Sequence, residues 1–280
     1  MKSKIILIIA AGAGIFLIAA GMFLYWKSAY VPKKRIIVQK RAVLKVPAKK
    51  KALPAVQKKF SNPKIAIVMD DFGYNMNNTD NLFAAGQPVT LSILPNLPYS
   101  RRVAQLAHSK KYEIILHLPL ESNDKSAPKE LGTIRTDMDN KKISSILGED
   151  IASVPGLKGI SNHQGSKATE DKATMSVILA DLKSRNLYFF DSLVTDKSVC
   201  MEAAKNAGVP YAKRDMFLDN DSSPDYIEKQ VLSLRRLAFR KGSAIGVCHD
   251  RKNTVAVLSR MMPELSAEGI EFVPLSEMVR

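Results

Sequence analysis

From Lys64 to Arg280, short apolar runs alternate with stretches of helical periodicity. The runs are 65–69, 89–94, 114–118, 187–190 and 244–248, with weaker ones at 159–161, 216–218 and 271–273. Helical patterns fill the intervals at 100–110, 141–154, 171–185, 224–241 and 254–267. A run apolar at consecutive positions suits a strand covered on both faces, and a helix between successive strands suits parallel pairing. The alternation predicts an α/β fold on a mostly parallel sheet, either a (β/α) barrel or a doubly wound sheet. There is no repeat of fixed period, and 119–139 is a polar excursion of the length typical of a binding loop.

Functional groups in parallel α/β folds collect at the C-terminal ends of strands. The first run ends in Asp70-Asp71, the third in His117, and later ones in Asn162-His163, Asp191 and His249-Asp250. Three of the four histidines occupy such ends, and His108 alone sits in a helical pattern. One histidine there reads most simply as a satisfied polar residue, but a repeated choice of the same rim points to a metal or acid–base site. Two imidazoles and a carboxylate converging from different strands suit Zn²⁺ or another divalent first-row metal. Such a metal acidifies water and polarises a carbonyl, leaving a second carboxylate to act as base and a further histidine as acid. Asp70 and Asp71 are neighbours and converge only if the strand ends there, with Phe72-Gly73-Tyr74 as the turn.

Charge is divided unevenly along the chain. Of 42 Lys and Arg, 14 lie in residues 1–60, which contain no acid, so 61–280 are close to neutral. Such a globule is not built to grip a phosphate backbone, and no nucleic-acid partner is expected. Residues 1–4 form a short basic tail, and 5–26 run without a charge, enough helix to cross a ~30 Å hydrocarbon core. The run is longer than a signal-peptide core and ends in Tyr25-Trp26, which favours an uncleaved anchor in membrane lipid over a cleaved leader. Residues 27–60 read as a basic Lys/Pro/Ala linker, followed by one domain at 61–280. Basic residues after the span outnumber those before it, which by itself favours a cytoplasmic domain.

Competing chemistry lacks its motifs: there is no G-x-S-x-G elbow, P-loop, H-E-x-x-H or dinucleotide fingerprint. Two cysteines make no disulfide framework, and Cys248 reads as core packing rather than a nucleophile.

The segments Ile67-Val68-Met69-Asp70-Asp71-Phe72-Gly73-Tyr74, Leu116-His117-Leu118-Pro119-Leu120-Glu121, Asn162-His163-Gln164-Gly165-Ser166 and Phe190-Asp191-Ser192 together resemble the divergent polysaccharide deacetylase family. The resemblance covers 61–280 and implies an incomplete (β/α) barrel and metal-dependent hydrolysis of an N- or O-acetyl group on a glycan. It implies Asp70 as base, Asp71 and His117 as metal ligands, and His249 as general acid. The wider superfamily places its second metal histidine where Glu121 stands, so His163 supplies the missing nitrogen or Glu121 an oxygen. Asn162–Ser166 replace an Arg-x-Pro segment, leaving Asn162 and Ser166, with Glu121, as candidates for substrate contact or as alternative ligands. Asp191 is grouped with the catalytic residues, to orient His249 or substrate; Arg214, Asp215 and Asp219 read as structural, with Asp219 able to line the rim. Phe72, Tyr74 and Tyr99 are the rings available for sugar stacking.

The expectation is a zinc-dependent carbohydrate deacetylase anchored in the bacterial inner membrane, its domain facing an envelope glycan outside the cytoplasm. A non-catalytic glycan- or partner-binding module on the same fold is the alternative. A cytoplasmic enzyme acting on a nucleotide- or lipid-linked sugar is the third reading.

Overall fold

The computed structural model describes residues 59–280. The predicted tail, the 5–26 span and the linker up to residue 58 lie outside the described residues. No helix among the described residues is long and apolar enough to cross a membrane.

Nine strands form one sheet in the order β6-β5-β4-β3-β2-β1-β8-β7, with β9 beside β1. They are β1 (Lys64–Phe72), β2 (Thr90–Ile93), β3 (Ile114–Leu120), β4 (Gly159–Gln164), β5 (Tyr188–Asp191), β6 (Tyr211–Lys213), β7 (Met216–Phe217), β8 (Ser243–His249) and β9 (Glu271–Phe272). Every strand pair is parallel. Among the described residues seven α-helices lie between or after them: α1 (Thr79–Ala84), α2 (Ser100–Ser109), α3 (Asn140–Ser153), α4 (Lys172–Ser184), α5 (Cys200–Ala207), α6 (Pro224–Lys241) and α7 (Lys252–Ala267). The order steps uninterrupted from β6 to β1 and then to β8. That is a curled barrel sheet, not the reversing order of a doubly wound one.

The edges β6 and β7 are consecutive in sequence. Between them the Arg214 amide bonds the Asp191 carbonyl and the Asp215 amide bonds the Ile245 carbonyl. The chain therefore switches partner from β5 to β8 across two residues.

Side-chain alternation divides the sheet into two faces. Ala66 and Val68 of β1, Ile115 of β3, Tyr188 and Phe190 of β5, Ala212 of β6, and Ile245 and Val247 of β8 pack into one buried cluster inside the curl. Phe217 packs against it from β7. The opposite parity, with Ile65, Ile67, Met69, Leu116 and Phe189, is equally buried. This double burial produces the unbroken apolar runs. Gly159 is required where it stands: a Cβ there would lie 2.4 Å from the Tyr188 ring.

The short elements β6, α1 and α5 carry no predictive pattern. At the start of the described residues, the amides of Lys59 and Phe60 both bond the Phe239 carbonyl, at 3.1 and 3.2 Å. Cys200 and Cys248 are buried free thiols.

Candidate metal and acid–base site

Following the interior parity towards the strand ends, apolar side chains give way to polar ones. After Ala66 and Val68 comes Asp70; after Ile115, His117; after Val247, His249. Asp70 lies in register with His249 across the β1–β8 pair, and His117 with Ser161 across β3–β4. His163 continues the parity of Ser161.

Asp71 has the wrong parity for this face and reaches it through a backbone irregularity. The β1–β2 register shifts between Met69 and Phe72, and Asp71 adopts φ 68°. Gly73 at φ +125° completes the turn, where a Cβ would meet the Ser100 hydroxyl at 2.9 Å.

Asp71 Oδ1 lies 3.5 Å from His117 Nε2 and 3.4 Å from His163 Nδ1. The three residues offer ligand atoms within 4.8 Å of one another. The contacts are longer than good hydrogen bonds, and Asp71 Oδ1 is buried without a partner. Ligands at about 2.0–2.1 Å from a tetrahedral ion stand roughly 3.4 Å apart. The donor set therefore fits a divalent cation better than it satisfies itself. Burial raises the Asp71 carboxyl pKa, but the two imidazoles facing it, His117 and His163, outweigh it and hold the group well below the usual range. His117 Nδ1 sits 2.8 Å from Ser161 Oγ, which is 2.8 Å from Ser92 Oγ. A proton on Nδ1, donated to Ser161, leaves the Nε2 lone pair facing Asp71.

Asp70 is buried, with Oδ1 unpartnered and 3.6 Å from His117 Nδ1. Burial pushes its pKa up, against the opposing pull of His117 and the Ser92 hydroxyl. On the other side, His249 Nδ1 meets Asp219 Oδ1 at 2.8 Å, and the His249 amide bonds Asp219 Oδ2 at 2.9 Å. Thr254 and Arg251 also donate to Asp219, to Oδ2 and the backbone carbonyl respectively. Burial lowers the His249 pKa, but the Asp219 bond and charge prevail and raise it.

The remaining sequence candidates are engaged elsewhere. Asp191, expected to orient His249 or a substrate, accepts from the Leu193 amide, Ser198 Oγ and Tyr211 Oη, and it is Asp219 that bonds His249. Asp219, read as structural, holds the imidazole. Asn162 accepts from the Ser192 amide and donates to the Gln164 carbonyl. Glu121 is bound by Lys167 Nζ and by the amide and hydroxyl of Thr136, so it ties the 121–139 loop down rather than joining the ligand atoms. Ser166 accepts from the Asn123 amide of the same loop. Phe72 is fully buried and cannot stack on a sugar, whereas Tyr74 and Tyr99 are exposed. The Tyr74 hydroxyl donates to Glu130 at 2.6 Å, linking the β1 turn to the loop. Under the loop lies a cavity of about 950 Å³ whose lining includes Leu120, Glu130, Asp150 and Gln164.

The sequence profile of the divergent polysaccharide deacetylases matches residues 67–279. The chain is 36% identical over 202 residues to the uncharacterized protein YibQ of Escherichia coli K12, covering 72% of this chain and 63% of that protein. It therefore spans just under two thirds of that relative. An uncharacterized protein of Haemophilus influenzae is 32% identical over 222 residues, 79% of this chain and 78% of its own. The solved structure of an uncharacterized protein from Agrobacterium tumefaciens C58 is similar with a TM-score of 0.74 at 25% identity, covering 81% of this chain and 93% of that one. A T48 deacetylase solved with substrate shares the fold at a TM-score of 0.51 and 14% identity, over 78% of this chain and 90% of its own. With the profile spanning most of its length and the strand-end residues on one rim, this chain belongs to the divergent polysaccharide deacetylase family.

Proposed function

We propose that the protein is a membrane-anchored, metal-dependent deacetylase that removes an N- or O-acetyl group from an envelope glycan outside the cytoplasm. The observation that carries this reading is the grouping of Asp71, His117 and His163 around one point, with Asp70 on one side and the His249–Asp219 pair on the other. Asp71 Oδ1, His117 Nε2 and His163 Nδ1 are the atoms that would hold a divalent ion, zinc by ligand preference. When bound, such an ion supplies Lewis acidity towards the acetyl oxygen and acidifies water.

The chain's own groups account for the proton movements. Asp70 accepts a proton from the water that adds to the acetyl carbon. His249, its Nδ1 held by Asp219, delivers the Nε2 proton to the departing nitrogen or oxygen as its bond to that carbon breaks, and acetate leaves. Asp219 keeps the imidazole charged until that step. The Glu121–Lys167 and Ser166–Asn123 bonds fix the loop beside the rim, where Tyr74 and Tyr99 are the exposed rings for a sugar face.

The second reading, a glycan- or partner-binding module without turnover, is favoured by Glu121, which stands bonded to Lys167 and Thr136 where the wider superfamily carries a metal histidine. Metal content and acetate release from acetylated glycans decide between them. About one equivalent of divalent metal, lost in His163→Ala, together with acetate release is expected. Glycan binding by a protein that stays metal-free after zinc incubation and releases no acetate would establish the second reading.

A further inference from the structure

The imidazole of His249 has a second contact, independent of Asp219. The Phe217 ring stacks on it with centroids 6.0 Å apart and planes 13° from parallel. On Phe217 lies the Arg214 guanidinium, its carbon 3.9 Å from the ring centroid. Arg214 is itself locked, with Nε donating to the Ser192 carbonyl at 2.7 Å and Nη2 to the Leu193 carbonyl at 2.8 Å. Arg214 stands in the segment where the chain changes partner from β5 to β8, and Phe217 lies on the β7 strand that follows it.

A bond at Nδ1 fixes one edge of an imidazole and leaves the ring free to rock about that edge. A flat neighbour that is itself held in place removes much of this freedom. Rocking would sweep Nε2, the atom opposite the Asp219 contact, away from a fixed point on the rim. We propose that Phe217, in contact with the fixed Arg214 guanidinium, is a positioning residue that sets the plane of His249 and so aims its Nε2. The importance of that aim rests on the hydrolytic reading above; the positioning itself does not.

The test uses the full chain labelled with ¹⁵N-histidine, in which only four histidines give signals. Phe217→Leu removes the flat face, Phe217→Met does so with a flexible side chain, and Phe217→Tyr restores the ring. In the wild type and Phe217→Tyr, His249 is expected to give sharp ring-nitrogen signals of one protonation pattern. In the Leu and Met variants those signals broaden or shift while His108, His117 and His163 keep theirs. On an acetylated glycan, kcat is expected to fall about tenfold in the Leu variant with KM within about twofold, and the Tyr variant to recover most of the loss. Unchanged His249 signals in a folded Leu or Met variant would overturn the positioning role whatever happens to turnover. Altered His249 signals in a protein that releases no acetate would leave the positioning role standing and remove the hydrolytic reading.

Discussion

Burial beside an incomplete set of partners makes Asp150 respond to pH in a way opposite to most carboxylates. It is 1% exposed, Oδ1 accepts from Asn96 at 2.7 Å, and Oδ2 has no partner. Burial, opposed by the Asn96 bond and assisted by Glu149, pushes its pKa up to about 7. Between about pH 4 and pH 7 the folded chain thus retains a proton that the unfolded chain has released, and stability falls as pH rises through that window. Above it the penalty is on the order of 4 kcal/mol, at about 1.36 kcal/mol for each of roughly three pKa units. Asp150→Asn keeps an acceptor for Asn96 and cannot ionise. It should raise Tm at pH 8 and match the wild type near pH 4; equal melting curves at both pH values would show that Asp150 remains charged in the fold. Asp70 has a different role, and Asp70→Asn should cut acetate release by at least about 100-fold in a protein that still folds, since Asn matches the carboxylate in shape but cannot accept the proton. Normal turnover in that variant would remove Asp70 from the role of base.

At the scale of strands and turns, alternation decides which polar residues meet. The apolar runs and the helices between them made most strands legible, because a strand buried on both faces leaves an unbroken hydrophobic signature. Parity was legible too: Asp70, His117, His163 and His249 share the face of Val68, Ile115, Ser161 and Val247, whereas Asn162 and Asp191 occupy the other. Asp219 was harder to assign, because it lies just beyond a two-residue strand that gives almost no pattern. Asp71 was harder still: it joins the set through a left-handed residue that no alternation encodes. The turn after β4 is a comparable irregular device. Gln164 and Gly165 adopt φ of 54° and 88°, and a Cβ on Gly165 would come within 2.8 Å of Leu120 Cβ. Gly165→Ala therefore strains the turn that carries His163. A loss of roughly 1–3 kcal/mol of stability is expected, with weaker zinc binding by equilibrium dialysis. Wild-type values for both would mean that the turn yields without moving the ligand.

For the whole molecule, the site joins β1, β3 and β4, so an ion held there binds only the folded chain. Mass action then adds about 2.7 kcal/mol of stability when the free ion is at 100 times its Kd. Zinc should raise Tm of the metal-stripped protein, chelation should reverse the gain, and His163→Ala should abolish most of it; equal shifts in wild type and variant would place the ion elsewhere. Where the folded domain resides depends on two opposed features of the sequence. Seven basic residues in 27–46 against Lys2 and Lys4 before the expected span at 5–26 argue for retention in the cytoplasm. The proposed envelope-glycan substrate requires the domain on the other side. The 61–280 portion carries 28 basic residues against 27 acids, so its own charge gives little reason to stay with nucleic acid inside the cell. We therefore expect a reporter phosphatase fused after Arg280, active only outside the cytoplasm, to be active in cells. An inactive phosphatase together with a fluorescent cytoplasmic reporter at the same position would place the domain inside. The acetylated substrate would then have to be sought among nucleotide- or lipid-linked sugars rather than in the finished envelope.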